Sequence, residues 1–172
     1  MDDALAVLLL PGRLEEIALE AHARALLEIP RVVALEPSRL RTPRFMRNSA
    51  SLRQARRLRF PGRLRLLVLY DPAQYLLARG LLAEYTESEL WYLRPDDATL
   101  AAARAAAGAG AEELQSFDNL ARERAARVLP VTPGDGLDET PLRERLRQLE
   151  VINPRAFLPD AGWRRKGSRR SR

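Results

Sequence analysis

The sequence predicts an α/β domain, a Rossmann-like three-layer fold with a parallel sheet of four to five strands. Three observations lead to this expectation. Short apolar runs recur with starts 25 to 33 residues apart, the rhythm of a strand-helix unit. The runs are continuously apolar rather than alternating, as strands buried on both faces require. A proline follows each run almost at once, and its fixed φ and missing N–H suit the first turn of a helix.

The first strand is expected over residues 4–10 and turns at Pro11-Gly12. Residues 13–29 place Leu14, Ile17, Leu19, Ala21, Ala25 and Leu26 close to one helical stripe, with acids opposite. The second strand, 31–35, leads to Glu36-Pro37-Ser38, and the third, 64–70, leads to Asp71-Pro72. Residues 72–85 have helical spacing through Tyr75, Leu76, Ala78, Arg79 and Leu82. The fourth strand, 89–93, runs into Arg94-Pro95-Asp96-Asp97. An alanine-rich helix follows over Asp97–Ala107, with acids at its start and Gly108 and Gly110 at its end. Another helix is expected over 112–128, a short fifth strand over 128–132, and a last helix from Thr140-Pro141 to about Leu149. Residues 150–160 read as an irregular closing segment anchored by Phe157 and Leu158.

This organisation gives a folded unit over 1–160 and a disordered basic tail over 161–172. The formal charge of +6 equals the six basic residues of that tail, so the folded part is neutral overall. No apolar run approaches the roughly 18–20 residues of a membrane span. The opening Met-Asp-Asp carries acids where a secretory signal carries basic residues, so a cytoplasmic location is the default.

Several chemistries are excluded by residue type. There is no cysteine, hence no thiol catalysis, disulfide or cysteine-ligated zinc. His22 is the single histidine, so no multi-histidine metal site exists, and no G-x-S-x-G turn marks a serine hydrolase. Lys166, in the tail, is the only lysine, which excludes a P-loop or Schiff-base lysine in the folded unit. Gly108-Ala109-Gly110 follows a helix instead of a strand, so it is no dinucleotide fingerprint. His22, mid-helix beside alanines, reads as a surface or half-buried residue, and Trp91-Tyr92 reads as one ring on each side of the sheet.

Ligands of an open parallel sheet sit beyond the carboxyl ends of its strands. The candidate ligand-binding residues are therefore Gly12, Glu36, Ser38, Arg39, Arg41, Arg44 and Asp71. Asp71 stands out because it ends an apolar strand near the expected centre of the sheet, where a carboxylate would hold a sugar or ribose hydroxyl. The commoner reading of an acid or serine there is a helix cap. Residues 38–70 carry ten arginines and no acid. Their planar forks grip phosphate bidentately. They would equally be neutralised within the fold, since residues 1–37 carry seven acids against three arginines. The tail would add weak, salt-sensitive polyanion binding. No residue pattern identifies a cofactor, and none identifies a metal site.

The stretch LRLLVLYDPAQYLLARGLLAEYTESELWYLRP, residues 64–95, resembles the amino-terminal half of bacterial GT-B-type glycosyltransferases, and VVALEPSRLRTPRFMR, residues 32–47, is similar in character. The resemblance covers at most about 60 residues and carries over no catalytic residue. It implies an acceptor-side domain or a relic, because a donor-binding second half does not fit in 172 residues, and a complete enzyme would need a partner chain. Three functions stay open. One is a glycosyltransferase-related domain that binds a phosphate-bearing sugar, lipid carrier or nucleotide. The second is a non-enzymatic nucleic-acid module using the arginine segment and tail. The third is an interaction domain without ligand chemistry.

Overall fold

The computed structural model describes residues 5–36, 47–60, 64–131 and 136–152. Five parallel strands form one sheet: β1 (Ala6–Leu9), β2 (Val32–Leu35), β3 (Leu66–Leu69), β4 (Glu89–Arg94) and β5 (Arg127–Pro130), in the spatial order β2-β1-β3-β4-β5. Ala6 pairs with both Val32 and Leu66, so β1 is hydrogen-bonded on its two sides. Burial follows position in the sheet. All four residues of β1 and of β3 are buried, as are the four inner residues of β4. The edge strands β2 and β5 each bury a single residue fully. Continuous apolar runs therefore belong to the three central strands, which have helices on both faces.

Helix α1 (Glu20–Leu27) and α6 (Thr140–Ile152) cover one face of the sheet. Ala23 and Leu26 of α1, with Leu142, Leu146 and Leu149 of α6, pack there against Leu8, Leu66, Val68 and Trp91. Helices α2 (Arg47–Arg57), α3 (Tyr75–Glu84) and α5 (Ala111–Arg124) cover the other. Ala55, Leu77, Ala78, Leu81 and Ala121 pack there against Val7, Leu9, Leu67 and Tyr92. Helix α4 (Asp97–Ala107) packs on α5 and buries only Leu100. The Asp96 side chain caps α4 by accepting from Thr99 N at 2.6 Å, and Gly108, at φ 53°, ends it. That φ lies in the left-handed region, which glycine enters without a Cβ penalty.

The three-layer expectation is met, and several element boundaries change. Residues 13–29 are not one helix. A short 3-10 turn, Leu14–Glu16, precedes an extended Ile17, whose buried side chain docks in the core, and α1 starts only at Glu20. Helix α5 stops at Arg124, so the fifth strand begins at Arg127, and α6 extends to Ile152. Helix α2 is new. It lies inside the arginine run, where Ala55 is the one fully buried side chain among those described, so no apolar stripe announces it. It packs closely on α3 at Gly80, where an added Cβ would stand 2.7 Å from the Ala55 Cβ. Phe157, Leu158 and the tail lie outside the described residues.

Candidate functional site

The chain reverses its direction of travel across the sheet between β1 and β3. After β1 it moves outward to β2, then returns past β1 to β3 and continues to β5. In open parallel sheets ligands bind at such a reversal, beyond the carboxyl ends of the two adjacent strands. The residues there are Leu10 to Arg13 after β1 and Tyr70 to Gln74 after β3. The Gln74 side-chain amide donates to the Leu10 carbonyl and so ties the two loops together. The Gln74 Oε1 is buried without a hydrogen-bond partner.

Asp71 stands at this reversal, at the end of the central strand, as its place in the sequence suggests. Its Oδ1 accepts from the Ala73 amide at 2.7 Å and caps the 3-10 turn Pro72–Gln74. Burial raises its pKa above the usual carboxylate value, and the Ala73 amide opposes that shift only in part. A half-buried carboxylate of raised pKa at a crevice is a functional-site signal.

Successive residues of an extended chain point to opposite faces. Tyr70 accordingly enters the core beneath α1 and α6, while Asp71 lies on the side of Tyr92 and α5. Two polar clusters result, one on each side of the sheet. On the α5 side, the buried Asp118 accepts from Tyr92 Oη at 2.9 Å and from Arg94 at 3.2 Å and 3.3 Å through its two oxygens. Arg94 also donates to Asp97 at 2.7 Å. Burial, followed by the hydrogen bond to Asp118, raises the Tyr92 pKa and keeps the phenol protonated. Every side-chain group of this cluster has a partner.

On the α1 and α6 side, His22, Tyr70, Glu139 and Arg143 meet. His22 is only 7% exposed, which corrects its reading as a surface or half-buried residue. The physical reason is the 3-10 turn after β1, which delays α1 and sets the first-turn residue His22 against the core. His22 Nδ1 is 3.0 Å from Glu139 Oε1, close enough for charge contact but short of full hydrogen-bond alignment. Glu139 Oε2 accepts from Arg143 at 2.8 Å. The Tyr70 ring is 6.0 Å from the His22 ring, and its hydroxyl, like His22 Nε2, is buried without a hydrogen-bond partner among the described residues. Burial lowers the His22 pKa, with the Glu139 contact opposing it, so the imidazole is neutral at pH 7. Burial raises the Tyr70 pKa, with Glu139 adding to the shift.

The other sequence candidates divide. Gly12 lies in the loop after β1, where a Cβ would meet only ordinary contacts, at 3.9 Å from Glu16 and Ile17. Glu36 accepts from the Leu14 amide at 3.2 Å and so fixes the turn after β1. Ser38, Arg39, Arg41 and Arg44 lie outside the described residues. The later part of the arginine segment leaves the crevice. Helix α2 returns the chain toward the start of β3, and Arg59 and Arg65 contact Glu84 and Glu87, which precede β4. Their partners are thus acids at the end of α3 and in the α3–β4 connection, not those of residues 1–37. Trp91 and Tyr92 point to opposite faces, as the strand alternation predicts.

Sequence reasoning missed the cluster of His22, Tyr70 and Glu139. The residues lie far apart in sequence, and none belongs to a motif. Asp118 gave no signal either, being one acid on a polar helix. Among the described residues no group of three or more His, Asp and Glu side chains is placed to hold a metal ion, and no helix is long and apolar enough to cross a membrane. A recess of about 300 Å³ lies on the α1–α6 seam, lined by Ala25, Ile29, Arg143 and Leu146, beyond the crevice. No family model, curated protein or solved structure matches the chain.

Proposed function

We propose that this chain is a ligand-binding domain of the glycosyltransferase type, holding a phosphate-bearing sugar, lipid carrier or nucleotide between the loops that leave β1 and β3. The observation that supports this reading is Asp71, half-buried at the end of the central strand beside the strand-order reversal, with only Oδ1 committed to a backbone amide. Its second oxygen is suited to accept from a sugar or ribose hydroxyl. Gln74, bound to the neighbouring loop through its amide, offers Oε1 as a further acceptor. Both are acceptors, so they favour the hydroxyl-bearing part of the ligand over its phosphate. A phosphate would fall to cationic side chains, for which Arg39, Arg41 and Arg44 remain the candidates.

Calorimetric titration of the full chain with UDP-glucose tests this reading. Binding by the native protein, weakened at least tenfold in Asp71→Ala, is the expected result. Equal affinity in the two proteins, or no binding to either, would refute it.

A second reading rests on α2, whose exposed Arg56 and Arg57 belong to a helix without acids. Such a face suits a nucleic-acid backbone. Affinity for single-stranded RNA should then fall steeply with salt and drop further in Arg56→Glu/Arg57→Glu. Salt-independent or absent RNA binding counts against it.

A further inference from the structure

Two side chains more than nine-tenths buried, His22 and Tyr70, hold polar atoms without partners at the carboxyl edge of the sheet. Leaving such a group unsatisfied costs roughly 1–3 kcal/mol, and native proteins seldom leave two together. The Tyr92 hydroxyl on the other side shows that this fold can satisfy a buried phenol when only packing is at stake.

His22 Nδ1 has only its 3.0 Å contact with Glu139, and the other two unpartnered atoms, His22 Nε2 and the Tyr70 hydroxyl, are chemically complementary. Glu139 faces His22 Nδ1, so the neutral ring carries its proton there and presents Nε2 as an acceptor. Tyr70 keeps its proton and presents an O–H donor. A hydroxyl group donates one hydrogen bond and accepts others, so it matches this pair. The fully ionised diester phosphates of a sugar nucleotide offer only acceptors, and they would face the His22 lone pair with the Glu139 carboxylate behind it. Arg143 is already bound to that carboxylate.

We infer that His22 and Tyr70 form a recognition pair for an uncharged hydroxyl of the ligand, held in register by Glu139, and that they select for the sugar or ribose part. This rests on the proposed binding at the β1–β3 reversal, because Tyr70 immediately precedes Asp71 and projects to the opposite face of the same strand end. Asp71 and the pair would then grip a polyhydroxylated ligand from the two sides of β3. An ordered water offers the same hydrogen bonds, and the test must separate the two.

His22 is the only histidine, so the imidazole region of the ¹⁵N spectrum holds the signals of one ring. The full chain is titrated with UDP-glucose and, separately, with inorganic diphosphate. The inference expects UDP-glucose to shift the His22 Nε2 resonance and diphosphate to leave it in place. It also expects Tyr70→Phe, which keeps the ring, to weaken UDP-glucose at least fivefold. Acidification until His22 is protonated should abolish the shift, since Nε2 then becomes a donor facing the Tyr70 donor. The charged and titratable groups facing His22 are Glu139 and Arg143 on the α6 side and Tyr70 on β3, so Tyr70→Phe and Glu139→Gln controls assign the pH effect. If UDP-glucose binds with Asp71 dependence yet leaves Nε2 unshifted and Tyr70→Phe unaffected, water is the occupant. The inference is then overturned while the binding site stands. If UDP-glucose does not bind at all, both are overturned.

Discussion

The two polar clusters flanking the end of β3 differ in one respect. Around Asp118 every hydrogen-bonding group is matched, by Tyr92, Arg94 and Asp97 in turn. Around His22 the charges are balanced, but three polar atoms, His22 Nδ1 and Nε2 and the Tyr70 hydroxyl, have no hydrogen-bond partner among the described residues. One cluster draws on β4 and the other on the end of β3, the strand beside it, and both contain buried groups, so burial alone does not explain the contrast. A closed network of hydrogen bonds and opposite charges locks helix α5 to β4 and serves stability. An open one keeps hydrogen-bonding capacity in reserve, as the proposed recognition of a ligand hydroxyl requires. Strain from unsatisfied groups persists where something else needs it.

The largest test removes the anchor of the closed cluster. Asp118→Ala strips both Tyr92 and Arg94 of their shared acceptor and leaves a cation partly buried. A loss of about 3 kcal/mol is expected, measured as a lowered urea midpoint at constant slope. A loss below about 0.5 kcal/mol would class the network as surface-like.

Matched hydroxyl deletions sharpen the contrast directly. Tyr92→Phe loses a buried hydrogen bond to a carboxylate and should cost about 1.5 kcal/mol. Tyr70→Phe removes a hydroxyl that bonds to nothing among the described residues and should leave stability unchanged or raise it by about 1 kcal/mol. Equal costs in the two variants would erase the distinction between the clusters.

The pH dependence of stability follows from His22. Its folded pKa is lowered, mainly by burial, from the unfolded value of 6.5. Below that value the unfolded chain takes up a proton that the folded chain resists, so stability is full above 6.5 and falls on acidification toward the folded pKa. Glu139 adds a separate limb. Burial would raise its pKa, but the contacts from His22 and Arg143 outweigh this and hold it below 4.5, so its contribution is lost only at lower pH. Urea midpoints measured from about pH 8 to about pH 5 should decline in the native protein and flatten in His22→Gln.

The smallest expected effect concerns a carboxylate assigned to structure. Glu36→Ala removes the acceptor of the Leu14 amide on an exposed turn. A cost of about 0.5 kcal/mol with unchanged UDP-glucose affinity is expected. A tenfold loss of affinity in that variant would move Glu36 from the scaffold into the site.

Much of the fold was legible in the chain. The apolar runs of β1, β3 and β4 are the strands with covered faces, and burial on both sides is what makes a run continuous. The prolines at 11, 72 and 95 mark where strands end because a proline cannot extend the hydrogen-bond ladder. Helix α2 was not legible, since it presents one small residue, Ala55, to the core and gains its place by close approach to Gly80. The site was half legible. Asp71 could be picked out because a strand end is a position along the chain.

What the sequence alone determined is therefore the layered architecture, the neutrality of residues 1–160 and the absence of cysteine, lysine and multi-histidine chemistry from them. Those follow from residue type and local period. The tertiary structure decided the strand order, hence where the crevice lies, and it decided which polar groups meet. His22, Tyr70 and Glu139 come from α1, β3 and the approach to α6, and only the reversal of strand order brings those elements to one place. Whether a buried polar atom finds a partner depends on side chains distant in sequence, so no pattern along the chain could have distinguished the satisfied hydroxyl of Tyr92 from the unsatisfied one of Tyr70.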